Sequence, residues 1–149
     1  MPEHVPVGVV PGSAAEHELA SGVVKIRVLL ADDHAIFRRG LVDLLQQEPD
    51  IDVVAEAGDG ETAVDLALRV RPDVVLMDVA MPGLDGVATT QRIIAALPGV
   101  RVVALSAHEA DDMAELMRKA GARAYVSKGG APEALIAAVR GVASSPCSD

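Results

Sequence analysis

The residues of this chain that could do chemistry are carboxylates, hydroxyls and one lysine, and each stands just after a strand-like run. Asp32 and Asp33 follow residues 26–31, Asp78 follows the unbroken apolar run Val74-Val75-Leu76-Met77, Ser106 and Ala107 follow 101–105, and Ser127 and Lys128 follow 124–126. In open parallel sheets ligands sit outside the carboxyl ends of the strands, so these positions converge on one edge. Like charges about 4 Å apart repel by about 4 kcal/mol at an effective dielectric of about 20, so three carboxylates there require a counter-charge. Mg2+ suits them, since it takes hard oxygen ligands and fits one or two aspartates, a backbone carbonyl and a phosphoryl oxygen. Lys128 adds a mobile positive charge on the opposite side of Asp78. The chemistry supported is phosphoryl transfer to a carboxylate, with Asp78 as nucleophile and an acyl phosphate as product. Ala107 is small enough to admit the phosphorus, and the Ser106 hydroxyl lies within one side chain's reach of the new group. Taken singly, each residue has a plainer reading: Asp78 as a turn residue, Asp32 or Asp33 as a cap for the helix beginning near His34, Lys128 as a solvated lysine.

The elements that must position these groups alternate strand and helix five times, the pattern of an α/β fold with a parallel sheet. The strands are read at 26–31, 52–56, 73–77, 101–105 and 124–126. Helical stripes lie between and after them: Phe37, Leu41, Leu44 and Leu45; Met113, Leu116, Met117 and Ala120; Leu135, Ala138, Val139 and Val142. Pro49, Pro72, Pro98 and Pro132 fall near helix ends, where a missing N–H costs little. Pro82 and Gly83 turn the chain after Asp78. Gly58-Asp59-Gly60-Glu61 reads as turn plus cap, since the ligand spacing of a calcium loop is absent. Residues 1–24 read as a disordered arm with room for a short helix at 14–20 and with solvated His4 and His17, and 144–149 as a short polar tail.

Composition bounds the function. Of 149 residues, 50% are hydrophobic but only one is Phe and one Tyr, so a single domain with an aliphatic core is expected. A net charge of -9 disfavours direct nucleic-acid binding. Cys147, the sole cysteine, excludes an intramolecular disulfide or a cysteine-based zinc cluster. The absence of a signal pattern or a bilayer-length apolar stretch predicts a soluble cytoplasmic protein without membrane contact.

Residues 25–143 resemble the receiver domain of two-component response regulators. The resemblance is carried by Leu30-Ala31-Asp32-Asp33-His34, Leu76-Met77-Asp78 with Met81-Pro82-Gly83-Leu84-Asp85-Gly86, Leu105-Ser106-Ala107, and Gly121-Ala122 with Tyr125 and Lys128. Asp-Asp-His, Phe37-Arg38-Arg39-Gly40-Leu41 and Ser127-Lys128 are similar to the subfamily that usually carries a LuxR-type helix-turn-helix output domain. The resemblance implies a flavodoxin-like, doubly wound five-stranded sheet of order 2-1-3-4-5. It implies Asp78 as the residue phosphorylated by a sensor histidine kinase or phosphotransfer protein. It also implies Mg2+ held by Asp33, Asp78 and the Ala80 carbonyl, with Asp32 acting partly through water, and Ser106, Tyr125 and Lys128 as the switch. The expected output is a face of the fourth helix, fifth strand and fifth helix whose affinity for a downstream protein or a second copy of the chain changes on phosphorylation.

The chain departs from the family pattern in two places. Gly129 and Gly130 follow Lys128 where many members have a proline in a cis bond, which predicts a more flexible loop. Ala80 and His108 occupy positions that tune acyl phosphate hydrolysis in the family. Arg38 and Arg39 read as a solvated face, with a contact to the histidine phosphodonor as the family-based alternative. Among rival functions, an aspartyl-nucleophile phosphohydrolase would want an acid two residues after Asp78, where Ala80 stands, so the chain reads as a phosphoacceptor and not an enzyme. A flavin carrier would need a neutral phosphate cradle in place of Asp32-Asp33. The receiver part of a longer DNA-binding transcriptional regulator and a phosphorylation-independent protein-binding receiver both stay open.

Overall fold

The unbroken apolar run before Asp78 becomes the central strand of a sheet buried on both faces. The computed structural model of the chain describes residues 25–81, 85–107 and 112–144. The arm at 1–24 with His4 and His17, the Pro82-Gly83 turn, His108, and residues 145–149 with Cys147 lie outside the described residues. The element order is β1 (Ile26–Ala31), α1 (Ala35–Gln46), β2 (Ile51–Ala57), α2 (Gly60–Val70), β3 (Val74–Asp78), α3 (Gly86–Ala96), β4 (Arg101–Ser106), α4 (Asp112–Ala120), β5 (Ala124–Ser127) and α5 (Pro132–Ser144). All pairings are parallel and the strand order is 2-1-3-4-5, as expected.

Successive side chains of a strand point to opposite faces, and here both faces are dry. Leu29, Val75, Met77, Val102 and Ala104 pack with Ala63, Leu66, Ile93 and Met117 of α2, α3 and α4. Val28, Leu30, Val74, Leu76, Val103 and Leu105 pack with Leu41, Leu45, Leu135 and Val139 of α1 and α5. The helical stripes are therefore core faces, with one correction: Leu116 is exposed, because α4 turns only Met117 and Ala120 fully inward.

Strand ends differ from the sequence reading in a way that matters. β3 begins at Val74 because Asp73 acts as a hook outside it: its N–H donates to the Arg27 carbonyl and its carboxylate accepts the Arg27 N–H. At the other end Asp78 is still in register with Leu105, and the Val79 N–H donates to the Leu105 carbonyl at 3.0 Å. Asp78, Ser106 and Ser127 are thus last residues of strands, not residues beyond them. Asp59 accepts the Thr62 N–H at 2.8 Å as cap of α2, in agreement with the turn-plus-cap reading.

Two features tie the layers together. Gly86 opens α3 directly against the end of β3: a Cβ there would lie 2.7 Å from the Asp78 carbonyl oxygen and from the Val79 Cα. Arg140 of α5 reaches Asp50 through two hydrogen bonds of 2.9 Å and Glu48 through one of 2.6 Å, clamping α5 to the loop before β2.

Alanine normally favours a helix over glycine by about 0.5–1 kcal/mol. Gly86→Ala is expected to do the reverse, lowering the urea midpoint because the seat on β3 is lost. The second prediction concerns pH. The Arg140 hydrogen bonds hold the Asp50 carboxyl below its ordinary value of 3.8. A depressed carboxylate stabilises above the unfolded value, and that contribution is lost as pH falls through the folded one. Arg140→Gln should therefore unfold at lower urea than the parent at neutral pH, and the difference should close below pH 3.8.

Candidate functional site

The ends of β1 and β3 bring Asp32 and Asp78 side by side, both buried. Asp32 is fully buried because its N–H continues the ladder to the Ala57 carbonyl at 2.9 Å. Its Oδ1 accepts the His34 N–H at 2.8 Å, so Asp32 orders the entry to α1. Asp33 beside it is more exposed, with its carboxylate 3.4 Å from His34 Nδ1. Asp78 Oδ1 accepts the Ala80 N–H at 3.0 Å, which fixes the carboxylate plane, and its Oδ2 faces Lys128.

Lys128 is delivered to the same edge by β5. Its N–H donates to the Ser106 carbonyl at 2.7 Å, and its ammonium lies 2.8 Å from Asp32 Oδ2 and 3.0 Å from Asp78 Oδ2. The expectation of a charge held on the far side of Asp78 is corrected: the ammonium bridges the two buried carboxylates, with its side chain only 10% exposed. It also rides over the Phe37 ring at 4.8 Å. Burial works to lower the lysine, but the hydrogen bonds and charges of Asp32 and Asp78 outweigh it and hold its pKa above the ordinary value. Burial dominates at Asp78 and raises its carboxyl above the usual range, against the Ala80 and Lys128 hydrogen bonds. A more basic carboxylate is a stronger nucleophile.

Ligand atoms of Asp32, Asp33, His34 and Asp78 lie within 4.8 Å of one another, about the span of one octahedral shell. Three of the four donors are hard carboxylate oxygens, so this set fits Mg2+. The Ala80 carbonyl belongs to the residue whose N–H Asp78 holds, and so lies beside the same site.

Ser106 is buried at the end of β4, and Tyr125 is in register with Ala104 on β5, so both hydroxyl-bearing side chains stand on the α2–α4 face of the sheet. The Tyr125 hydroxyl is buried without a hydrogen-bond partner among the described residues. The residue lines a cavity of about 230 Å3 with Ala114, Glu115, Met117 and Arg118. Ala107, next along the chain, is exposed. After Lys128 the chain turns tightly, the Gly129 N–H donating to Ser127 Oγ and the Gly130 N–H to the Ser127 carbonyl.

Arg38 overturns the solvated-face reading. Its side chain is only 11% exposed, its Nε donates to Glu56 at 3.1 Å, and its guanidinium donates to the Asp32 carbonyl. Gly58 leaves the space it needs, since a Cβ there would stand 3.2 Å from the guanidinium. Arg39 alone is exposed as expected. His34, named only within a motif, is the other residue whose contacts the sequence did not disclose; its position two residues after a buried aspartate was the available signal.

Comparisons with known proteins agree on one family. The model of the response regulator receiver domain matches residues 28–140. The transcriptional regulatory protein DegU of Brevibacillus brevis is 42% identical over 119 residues, covering 80% of this chain and 50% of that protein. LiaR of Bacillus subtilis is 43% identical over 103 residues, covering 69% and 49%. The chain spans about half the length of these curated relatives. Among solved structures, the NarL signal receiver domain of Mycobacterium tuberculosis superposes with a TM-score of 0.78 at 34% identity, covering 83% of this chain and 99% of that one. A LuxR-family response regulator of Aurantimonas gives 0.77 at 34%, covering 80% and 85%. No helix among the described residues is long and apolar enough to cross a membrane.

Lys128→Met is expected to leave Asp32 and Asp78 buried without their ammonium. Removing one partner of a buried pair costs up to about 3–5 kcal/mol. Urea unfolding in chelator should show a large loss, and saturating Mg2+ should recover more stability in the variant than in the parent.

Proposed function

Because this chain belongs to the response regulator receiver domain family, we propose that it accepts a phosphoryl group from the phosphohistidine of a sensor histidine kinase or phosphotransfer protein onto Asp78. The observation that carries this reading is the buried, raised Asp78 carboxylate beside a lysine already bridged to it. A carboxylate oxygen of Asp78 attacks the phosphorus, the P–N bond breaks, and the donor imidazole leaves with the electron pair and takes up a proton. Mg2+, held by Asp33, Asp78 and the Ala80 carbonyl with Asp32 in support, supplies neutralising charge for the phosphoryl oxygens when bound. The Ala80 N–H keeps the carboxylate in plane during attack. Lys128 gives up part of its hold on Asp32 and Asp78 to pair with the incoming phosphoryl group, and Arg38 keeps the Asp32 backbone from following it.

The added charge of about -1.5 to -2 then biases the switch. A hydrogen bond from Ser106 to the phosphoryl group is worth about 1.5–3 kcal/mol, about a ten- to hundredfold shift in population. Tyr125, with its unpartnered hydroxyl and the cavity beside it, has room to change position with Ser106. The changed surface is that of α4, β5 and α5, open to a downstream protein or a second copy of the chain. Exposed Arg39 stays available to a histidine phosphodonor. On this reading the chain is a cytoplasmic phosphoacceptor, with at most self-phosphotransfer and autodephosphorylation as its own activities. A second reading, favoured by the twofold length of relatives named transcriptional regulatory proteins, makes residues 25–143 the receiver part of a longer DNA-binding regulator.

Intact-mass analysis after incubation with Mg2+ and acetyl phosphate tests the proposal. One added phosphoryl group is expected in the parent, and none in Asp78→Asn or when Mg2+ is chelated. Absence of any adduct with acetyl phosphate and with a histidine kinase would overturn it in favour of a phosphorylation-independent binding module.

A further inference from the structure

His34 stands over the acidic site and has no part in the phosphoryl chemistry above. Its Nδ1 lies 3.2 Å from Asp32 Oδ1, 3.4 Å from Asp33 Oδ1 and 3.9 Å from Asp78 Oδ2. Adjacent ligands of an octahedral cation bound at about 2.0–2.1 Å are about 3 Å apart and opposite ones about 4 Å, so the nitrogen stands near adjacent-ligand spacing from Asp32 and Asp33 and near opposite-ligand spacing from Asp78. It also lies 3.3 Å from the Lys128 ammonium, the cation that Asp32 and Asp78 already hold. The imidazole is held there although its ring is 62% exposed: Nδ1 is within hydrogen-bond reach of Asp32 Oδ1 and of the Lys128 ammonium, and the backbone N–H is pinned to Asp32 Oδ1 at 2.8 Å.

We propose that His34 is a nitrogen donor to the cation in this site, so that the site takes a borderline divalent ion such as Co2+ or Ni2+ through an imidazole that Mg2+ leaves unused. The inference rests on the proposed cation site and deepens it. Carboxylate oxygens alone suit Mg2+, whereas an imidazole nitrogen suits the later first-row ions, whose affinity for mixed nitrogen and oxygen sites rises along the series. The contribution of His34 is therefore selective: it adds little to Mg2+ binding and much to Co2+ binding. Phosphoryl acceptance then runs on a metal-loaded state that depends on which ion is at hand.

Calorimetric titration of the full chain with Mg2+ and, separately, Co2+ tests this, in the parent and in His34→Ala. Competition by excess Mg2+ identifies the shared site and separates it from any binding at His4, His17 or His108. The variant should lose Co2+ affinity by at least about tenfold, the loss that follows removal of a residue that merely orients a metal ligand. Its Mg2+ affinity should stay within about twofold. The Co2+-loaded parent should also show a paramagnetically shifted imidazole N–H proton resonance that is displaced by Mg2+ and missing from the variant. Equal losses for both ions, or none for Co2+, would overturn the inference and leave the Mg2+ site standing. Failure of the parent to bind either ion would overturn both.

Discussion

Two buried carboxylates sharing one ammonium is the interaction on which the site depends. Asp32 and Asp78 arrive from different strands, and each is held by a backbone N–H on one oxygen and by Lys128 on the other. Unpaired, such charges would either separate or protonate. Paired, they stand ready at the strand ends, and the raised Asp78 carboxyl shows that burial outweighs the stabilisation that the lysine supplies. The Asp78 carboxylate is thus kept basic and in position by one compact arrangement.

The sheet makes that arrangement possible. Because β3 is apolar on both faces, alternate residues fill two separate cores, and nothing polar interrupts the strand until Asp78. The two cores grip β1 and β3 from opposite sides, so the carboxylates inherit the rigidity of the packed interior although they lie at its edge. Arg38 extends that support by holding the Asp32 carbonyl from α1, and Glu56 in turn holds Arg38 from β2.

Much of this was legible in the sequence, for identifiable reasons. Apolar runs ending in Asp, Ser or Lys marked the strand ends, and the helical stripes marked the faces packed on them. The strand order came only with the family resemblance, since local pattern carries no information about which strands are neighbours. What escaped notice depended on distant partners. Arg38 stands beside Arg39 between Phe37 and Gly40 on α1, and its burial follows from Glu56 on β2 and Gly58 just after it, both distant in sequence. Lys128 was placed at the right edge but on the wrong side of Asp78, because its reach is decided by the Phe37 ring and by Asp32 rather than by its neighbours in the chain. The extra residue at the end of β3 is defined by a hydrogen bond to Leu105 on β4, which no local propensity registers.

The seat of Gly86 on β3 has a mechanical corollary. With no side chain between them, the backbone at the start of α3 meets the peptide that joins Asp78 to Val79, and neither surface has a rotamer with which to yield. Close-packed backbone is stiff under compression, whereas separation costs only the attractive contacts that are lost. The seam therefore acts as an asymmetric stop: the Asp78–Val79 peptide is blocked from advancing into α3, while drawing back costs it the contacts of the seat and strains the Val79 hydrogen bond to Leu105. A displacement at the acidic edge thus meets unequal resistance in its two directions.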